Sequence, residues 1–177
     1  MPREPTRETV SRSIIPPRPV REVAAEAVRG IDDALDRIAA IGVRLEDNSR
    51  LHQARSILYD ASESGVLAPV QRGDTLGLRA LEVALDFYDI SRSLPNDRNR
   101  RLREDLTTAL KGELEPPETG RGPLQAQSQL VVWAAFCQAG AAPQLPPVGG
   151  PSGVPVPDIR LDNGLATYAV EVKRPQV

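Results

Sequence analysis

The chain has 177 residues, 40% hydrophobic and 26% charged, which is the usage of an ordinary globular protein. Its net charge of −2 excludes a strong whole-molecule field for holding nucleic acid, though not a local basic patch. A single cysteine, Cys137, excludes an intrachain disulfide. No apolar run reaches the roughly 18 residues of a membrane span, and Met1–Val20 lacks a signal-peptide core, so a cytoplasmic protein with no membrane partner is expected.

Residues 1–19 carry Pro2, Pro5, Pro16, Pro17 and Pro19 together with Arg3, Arg7, Arg12 and Arg18. Such a segment buries too little apolar surface to offset its ordering entropy, so a flexible tail is expected. From Val20 the pattern turns helical. Val23, Ala27, Ile31, Ala34, Leu35 and Ile38 recur at spacings of three and four, and Gly42 supplies a stop. A second helix is predicted from about Glu46 to Ser62, with Leu51, Ala54, Ile57, Leu58 and Ala61 on one side. A third, capped by Asp74 or Thr75, carries Leu78, Leu81, Val83, Ala84, Phe87, Tyr88 and Ile90 and ends at Pro95. A fourth, capped by Asn96 or Asp97, contains Leu102, Leu106, Ala109 and Leu110. Its basic run, Arg98, Arg100, Arg101 and Arg103, reads first as a solvated face and second as a phosphate-contacting patch. Four amphipathic helices with short connections suggest an antiparallel bundle over residues 20–114.

Residues 115–123 read as a linker. An apolar helix follows, Leu124 to Ala139, with Trp133 as a packing anchor and Cys137 as a core residue rather than a nucleophile. Residues 141–157 hold six prolines and three glycines and read as an irregular loop. Two strand-like runs close the chain, Pro157–Leu161 and Ala166–Arg174, around Asp162-Asn163-Gly164. Asn-Gly between alternating apolar residues signals a hairpin. A two-residue turn there sets Asp158 opposite Ala169 and diagonal to Glu171, roughly 7–8 Å away. Asp158, Arg160, Thr167, Glu171 and Lys173 then share one face, and Ile159, Leu161, Tyr168, Val170 and Val172 the other. The bland reading of the charged face is a solvated surface with cross-strand ion pairs. The lone histidine, His52, argues against a His-dependent triad or multi-His zinc site within one chain.

Pro157-Asp158 followed by Glu171-Val172-Lys173, on a helix–strand–turn–strand order, resembles the PD-(D/E)xK nuclease superfamily. The resemblance covers residues 124–177. It implies metal-dependent phosphodiester hydrolysis of nucleic acid, DNA rather than RNA. It implies Asp158 and Glu171 as ligands of Mg²⁺ or Mn²⁺, the Val172 carbonyl as a third ligand, and Lys173 as the catalytic lysine. It also implies a helix ligand, for which Gln129 is preferred over Gln125 and Gln127, and nucleic-acid contacts at Arg160 and Arg174. The family core continues with a further helix and strand beyond Glu-x-Lys, whereas Val177 lies four residues beyond Lys173. A partial core is therefore expected: a fragment, a sheet completed by a partner protein or a second copy, or a nuclease-like fold without activity. The expected fold class is α+β, an N-terminal helical bundle followed by a helix packed on a small antiparallel hairpin, a partial restriction-endonuclease-like core. The alternative function is a non-enzymatic helical interaction module with a structural hairpin.

Overall fold

A computed structural model describes residues 18–67, 75–95, 99–114, 122–147 and 156–173. The tail before Arg18, the capping positions Asp74, Asn96 and Asp97, most of the 115–123 linker, Arg98 and Arg174 lie outside these residues.

The described elements are α1 (Val20–Ala40), α2 (Arg50–Ser64), α3 (Leu76–Arg92), α4 (Arg100–Leu110), α5 (Pro123–Gln138), β1 (Ile159–Asp162) and β2 (Thr167–Val170). This is the expected α+β class, a helical bundle with a small antiparallel hairpin. Of the expected stripe on α1, Ile31, Ala34 and Ile38 are buried and Val23, Ala27 and Leu35 half-buried, while the first turns bury Ala24 and Val28. The chain then turns at Gly42, whose φ of 85° is a conformation that favours glycine. Pro123 opens α5 at its first helical position, where its missing N–H costs nothing. The side chain of Asn99 accepts from the Leu102 amide at 3.2 Å and so caps α4, two or three residues after the expected Asn96 or Asp97.

The third helix departs in detail from its expected face. Ala80, Val83, Ala84, Phe87 and Ile90 are buried, but Leu78 and Tyr88 are exposed. With seven apolar positions the stripe was wider than one buried face, and the tighter arc around Phe87 won. One buried cluster takes in Ile31 and Ile38 of α1, Leu51 and Leu58 of α2, Phe87 of α3 and Leu106 of α4. The same cluster contains Leu130 and Trp133 of α5 and Ile159 of β1. Residues from both expected units, 20–114 and 124–177, therefore contribute to one core.

A buried cation joins the layers. Arg50, the first residue of α2, is 1% exposed. Its Nη1 donates to Ala109 O at 2.7 Å and its Nη2 to Leu114 O at 3.4 Å. It thereby caps the C-terminal end of α4, where carbonyls lack helical partners and the dipole is negative. Asp86 of α3 lies within its field and accepts from Gln127 Nε2 of α5. Gln53, one turn along α2, accepts the Leu114 amide at 3.0 Å and donates to Gly112 O at 2.9 Å.

Removing the cation leaves Ala109 O without its donor and Asp86 without a nearby positive charge. Arg50→Ala is expected to lower the unfolding free energy by about 3 kcal/mol, read as a shift in the urea midpoint. An unchanged midpoint would contradict this role. Burial, opposed by Gln127 and Arg50, pushes the Asp86 carboxyl up from the ordinary aspartate value of 3.8. The folded chain then holds that proton more tightly than the unfolded chain, so the contribution of Asp86 is largest at low pH and falls as pH rises through the shifted value. Asp86→Asn removes this dependence. Whatever constant the substitution adds, its stability relative to wild type is expected to improve as pH rises from about 3.8, measured by urea unfolding across pH.

Candidate functional site

The hairpin turn is the first point of correction. Asp162 pairs with Thr167, so four residues, 163–166, form the loop instead of two. The side chain of Asn163 explains this. Its Oδ1 accepts from Leu165 N at 3.0 Å and from Ala166 N at 2.9 Å, and Asp162 Oδ1 accepts from Gly164 N at 2.8 Å. These local bonds compete with the tight turn and lengthen it. Ile159 pairs with Val170, Arg160 with Ala169 and Leu161 with Tyr168. The slip relative to the expected register is two residues, and an even slip keeps every side chain on its face. Continuing the ladder by one residue sets Asp158 directly opposite Glu171, not Ala169.

The faces follow this alternation. Ile159 is fully buried, and Leu161, Val170 and Val172 are half-buried. Tyr168 is on the same side but 53% exposed. Arg160, Glu171 and Lys173 are exposed and Asp158 is half-buried on the other face. No ion pair among the described residues joins Asp158, Glu171 and Lys173 to one another or to Arg160.

Two glutamines and Asp158 finish the hairpin where its ladder stops. Next in register, Val172 would pair with Pro157, which has no N–H to give. The Val172 carbonyl accepts instead from Gln125 Nε2 at 2.6 Å, and the Val172 amide donates to Asp158 Oδ2 at 2.9 Å. Gln129 Nε2 donates to Asp158 O at 2.9 Å. Gln125 and Gln129 are one turn apart, so α5 presents both to the hairpin. Gln129 reaches the Asp158 backbone and not the carboxylate pair. Gln127, between them, turns the other way to Asp86, and its Oε1 is buried without a hydrogen-bond partner.

A third carboxylate, Asp105 of α4, lies in the field of Asp158. Burial pushes its carboxyl up, and the hydrogen bond and charge of Arg101 oppose this. Arg101 Nε sits 2.7 Å from Asp105 Oδ2 in a largely buried pair. Asp105 is thus neutralised by its own helix neighbour. Among the described residues no group of three or more His, Cys, Asp and Glu side chains comes together in a form that could hold a metal ion.

The donors present are two carboxylates and one carbonyl, all oxygen. This suits Mg²⁺, which is commonly held by one or two carboxylates with water and substrate phosphate filling the remaining positions. Asp158 Oδ2 and Val172 O each carry one hydrogen bond, and each oxygen keeps a further lone pair. Of the other singled-out residues, His52 bonds to Ser49 Oγ at 2.8 Å in the first turn of α2. Trp133 donates to Pro143 O at 3.2 Å, and Cys137 is a half-buried free thiol that burial pushes up. No helix among the described residues is long and apolar enough to cross a membrane.

No family model, no curated protein and no solved structure matches the chain.

Gln125→Ala and Gln129→Ala each strip a donor from a half-buried hairpin carbonyl. Each is expected to cost about 1–2 kcal/mol and to speed amide hydrogen exchange at Val170 and Val172, while the amides of α1 keep their protection. Unaltered exchange in the hairpin would show that α5 does not hold it through these residues.

Proposed function

We propose that the face of the hairpin bearing Asp158, Glu171 and Lys173 is a divalent-metal site of a PD-(D/E)xK nuclease-like protein, acting on the phosphodiester backbone of nucleic acid. The observation that supports it is the register. Continued one residue past its last pair, Ile159 with Val170, it would oppose the two acids, with Lys173 two residues beyond Glu171 on the same alternation. The donor set is oxygen only, and the exposed face leaves room for an extended substrate.

In this reading Asp158 and Glu171 are the ligands, with Val172 O beside them. A bound divalent ion would polarise the phosphodiester and lower the pKa of its water. The ammonium of Lys173 offsets negative charge that develops on the phosphate oxygens. Arg160, exposed on the same face, contacts the backbone of the substrate. Gln125 and Gln129 position the site by fixing the main chain of Val172 and Asp158.

Cleavage of DNA and RNA by the full chain, with Mg²⁺ or Mn²⁺ against EDTA, tests the reading. Metal-dependent cleavage that disappears in both Asp158→Ala and Glu171→Ala is the expected outcome. A folded wild type that neither cleaves nor binds Mn²⁺ in a calorimetric titration would remove the proposal.

One observation favours a second reading, a module that takes up a strand. Arg160 spends both backbone groups on Gln144, at 2.8 and 2.9 Å, so the edge of β1 is partly covered. By antiparallel alternation the N–H and C=O of Ala169 then point away from β1, and they have no backbone partner among the described residues. Residues 167–169 of this edge are exposed. An open edge is a template for another strand. Ala169→Pro removes the outward N–H without touching the ladder to β1. If β2 pairs with a second copy, sedimentation velocity should show concentration-dependent dimers for wild type and monomers for this variant. Monomers for both at all concentrations would exclude self-pairing.

A further inference from the structure

The loop between α1 and α2 lies beside α4, and the two border two adjoining open clefts. The larger, about 650 Å³, is lined by Gly42, Val43 and Arg44 of the loop and by Arg100, Arg103 and Thr107 of α4, among others. The smaller, about 100 Å³, shares Arg44 and Thr107 and adds Lys111. Gly42 turns the backbone at φ +85°, a conformation that favours glycine, and a Cβ there would sit 3.8 Å from Arg103 Nη1, so the loop lies within van der Waals reach of that guanidinium.

The four cations of these walls are unequally paired. Arg100 holds Glu104 at 2.7 Å. The side chains of Arg44, Arg103 and Lys111 make no hydrogen bond or ion pair among the described residues, and Arg103 Nε is buried without a partner. Glu46 and Glu104 are the carboxylates on the walls, and Glu104 is already engaged. A buried donor left unmade costs on the order of 1–3 kcal/mol, and neighbouring cations repel, so the arrangement is short of an anion. The chain as a whole carries a net charge of −2, so this is a local excess against the global sign.

The chemistry of the walls narrows the ligand. Thr107 Oγ1 donates to Arg103 O at 2.8 Å and Thr108 Oγ1 to Glu104 O at 2.9 Å, so both hydroxyl protons are spent on the helix. The donors left to face a ligand are the guanidinium and ammonium groups. No aromatic side chain lines either cleft, so neither offers an aromatic platform for a base. Guanidinium groups bind phosphate oxygens in a bidentate fork. We propose that the surface formed by Arg44, Arg103 and Lys111 binds the phosphodiester backbone of a nucleic acid, without base readout. It is separate from the hairpin carboxylates and requires no metal.

The test is fluorescence anisotropy of the full chain with a short fluorescein-labelled DNA, single-stranded and duplex, in EDTA over a series of KCl concentrations. Wild type is expected to bind, with log K falling linearly with log salt. Arg44→Glu combined with Lys111→Glu changes two exposed side chains. This variant is expected to bind more weakly at every salt concentration, with a duplex slope shallower by roughly 0.9 for each phosphate that is no longer neutralised. Arg103→Gln, which keeps a donor but removes the charge, should lower the slope as well. Affinity and slope equal to wild type in both variants, with unchanged melting curves, would overturn the proposal. So would displacement of the DNA by polyglutamate at equal charge concentration, which would mark the surface as a site for acidic peptides. Because binding is read in EDTA, loss of metal-dependent cleavage with binding intact speaks only to the hairpin site. Loss of binding in EDTA by the cleft variants, with their Mn²⁺ binding unchanged in a separate titration without EDTA, speaks only to this cleft.

Discussion

A fully buried guanidinium must be satisfied where it lies, because moving it to water would open the interior and leaving it unpaired would cost several kcal/mol. Arg50 is that group. Its donors fix the end of α4 and the Gly112–Leu114 segment, and its charge sits near Asp86 on α3. Asp86 holds Gln127, which sets the rotation of α5 about its axis. Once Gln127 faces α3, Gln125 and Gln129 are carried round to the hairpin. The charge of Arg50 acting on Asp86, with the hydrogen bonds of Gln127 to Asp86 and of Gln129 to Asp158, thus links α2, α3 and α5 to the residue that leads into β1. The candidate site is positioned by the bundle, not by the hairpin alone.

That dependence explains which parts of the molecule could be read in advance. The stripes on α1 and α4 are narrow and regular, and Ile31, Ile38, Leu102 and Leu106 are buried as their spacing implied. The apolar–polar alternation of the hairpin was equally plain, and it survives a change of register because the slip is even. The turn was not legible. Asn163-Gly164 favours a two-residue loop, but the same asparagine can accept from the amides of Leu165 and Ala166, and nothing in the pattern weighs one against the other. The orientation of α5 was also hidden. The helix is apolar on most sides, so periodicity assigns it no inward face, and its glutamines read as a polar helix start or a metal ligand. Their roles become visible only with Asp86, Asp158 and Val172 in place. Arg50 carried no signal either, since nothing in a sequence marks one arginine among many as buried.

Electrostatics shows a similar contrast between whole and part. The net charge is small and negative, yet the charges are sorted. Arg55 pairs with Asp32 at 2.6 Å across α1 and α2, and Arg101 pairs with Asp105 within α4. Such pairs cancel at long range. On α4, helical geometry sends Arg101 and Asp105 toward one flank and Arg103 and Thr107 toward the other. A single basic run therefore divides into a neutralised side near Asp158 and an unneutralised side under Arg44. Counting arginines cannot separate these roles, whereas a turn of roughly 100° per residue does.

The open edge and the carboxylate face are linked by the backbone. In β2 the outward N–H and C=O alternate, so after Thr167 and Ala169 the next positions of that edge are Glu171 and Lys173. The described strand ends at Val170, and both residues lie just beyond its last paired position. If the alternation of β2 continues through them, their side chains share the face of Asp158 while their main chain faces the free edge. A strand added to that edge would bond the backbone of Glu171 and Lys173 directly, and so would hold the acid and the ammonium in place opposite Asp158. The two functional readings are then two aspects of one geometry. Metal affinity that rises when the edge is covered would follow from ordering these two residues, because a ligand fixed beforehand loses less conformational entropy on binding.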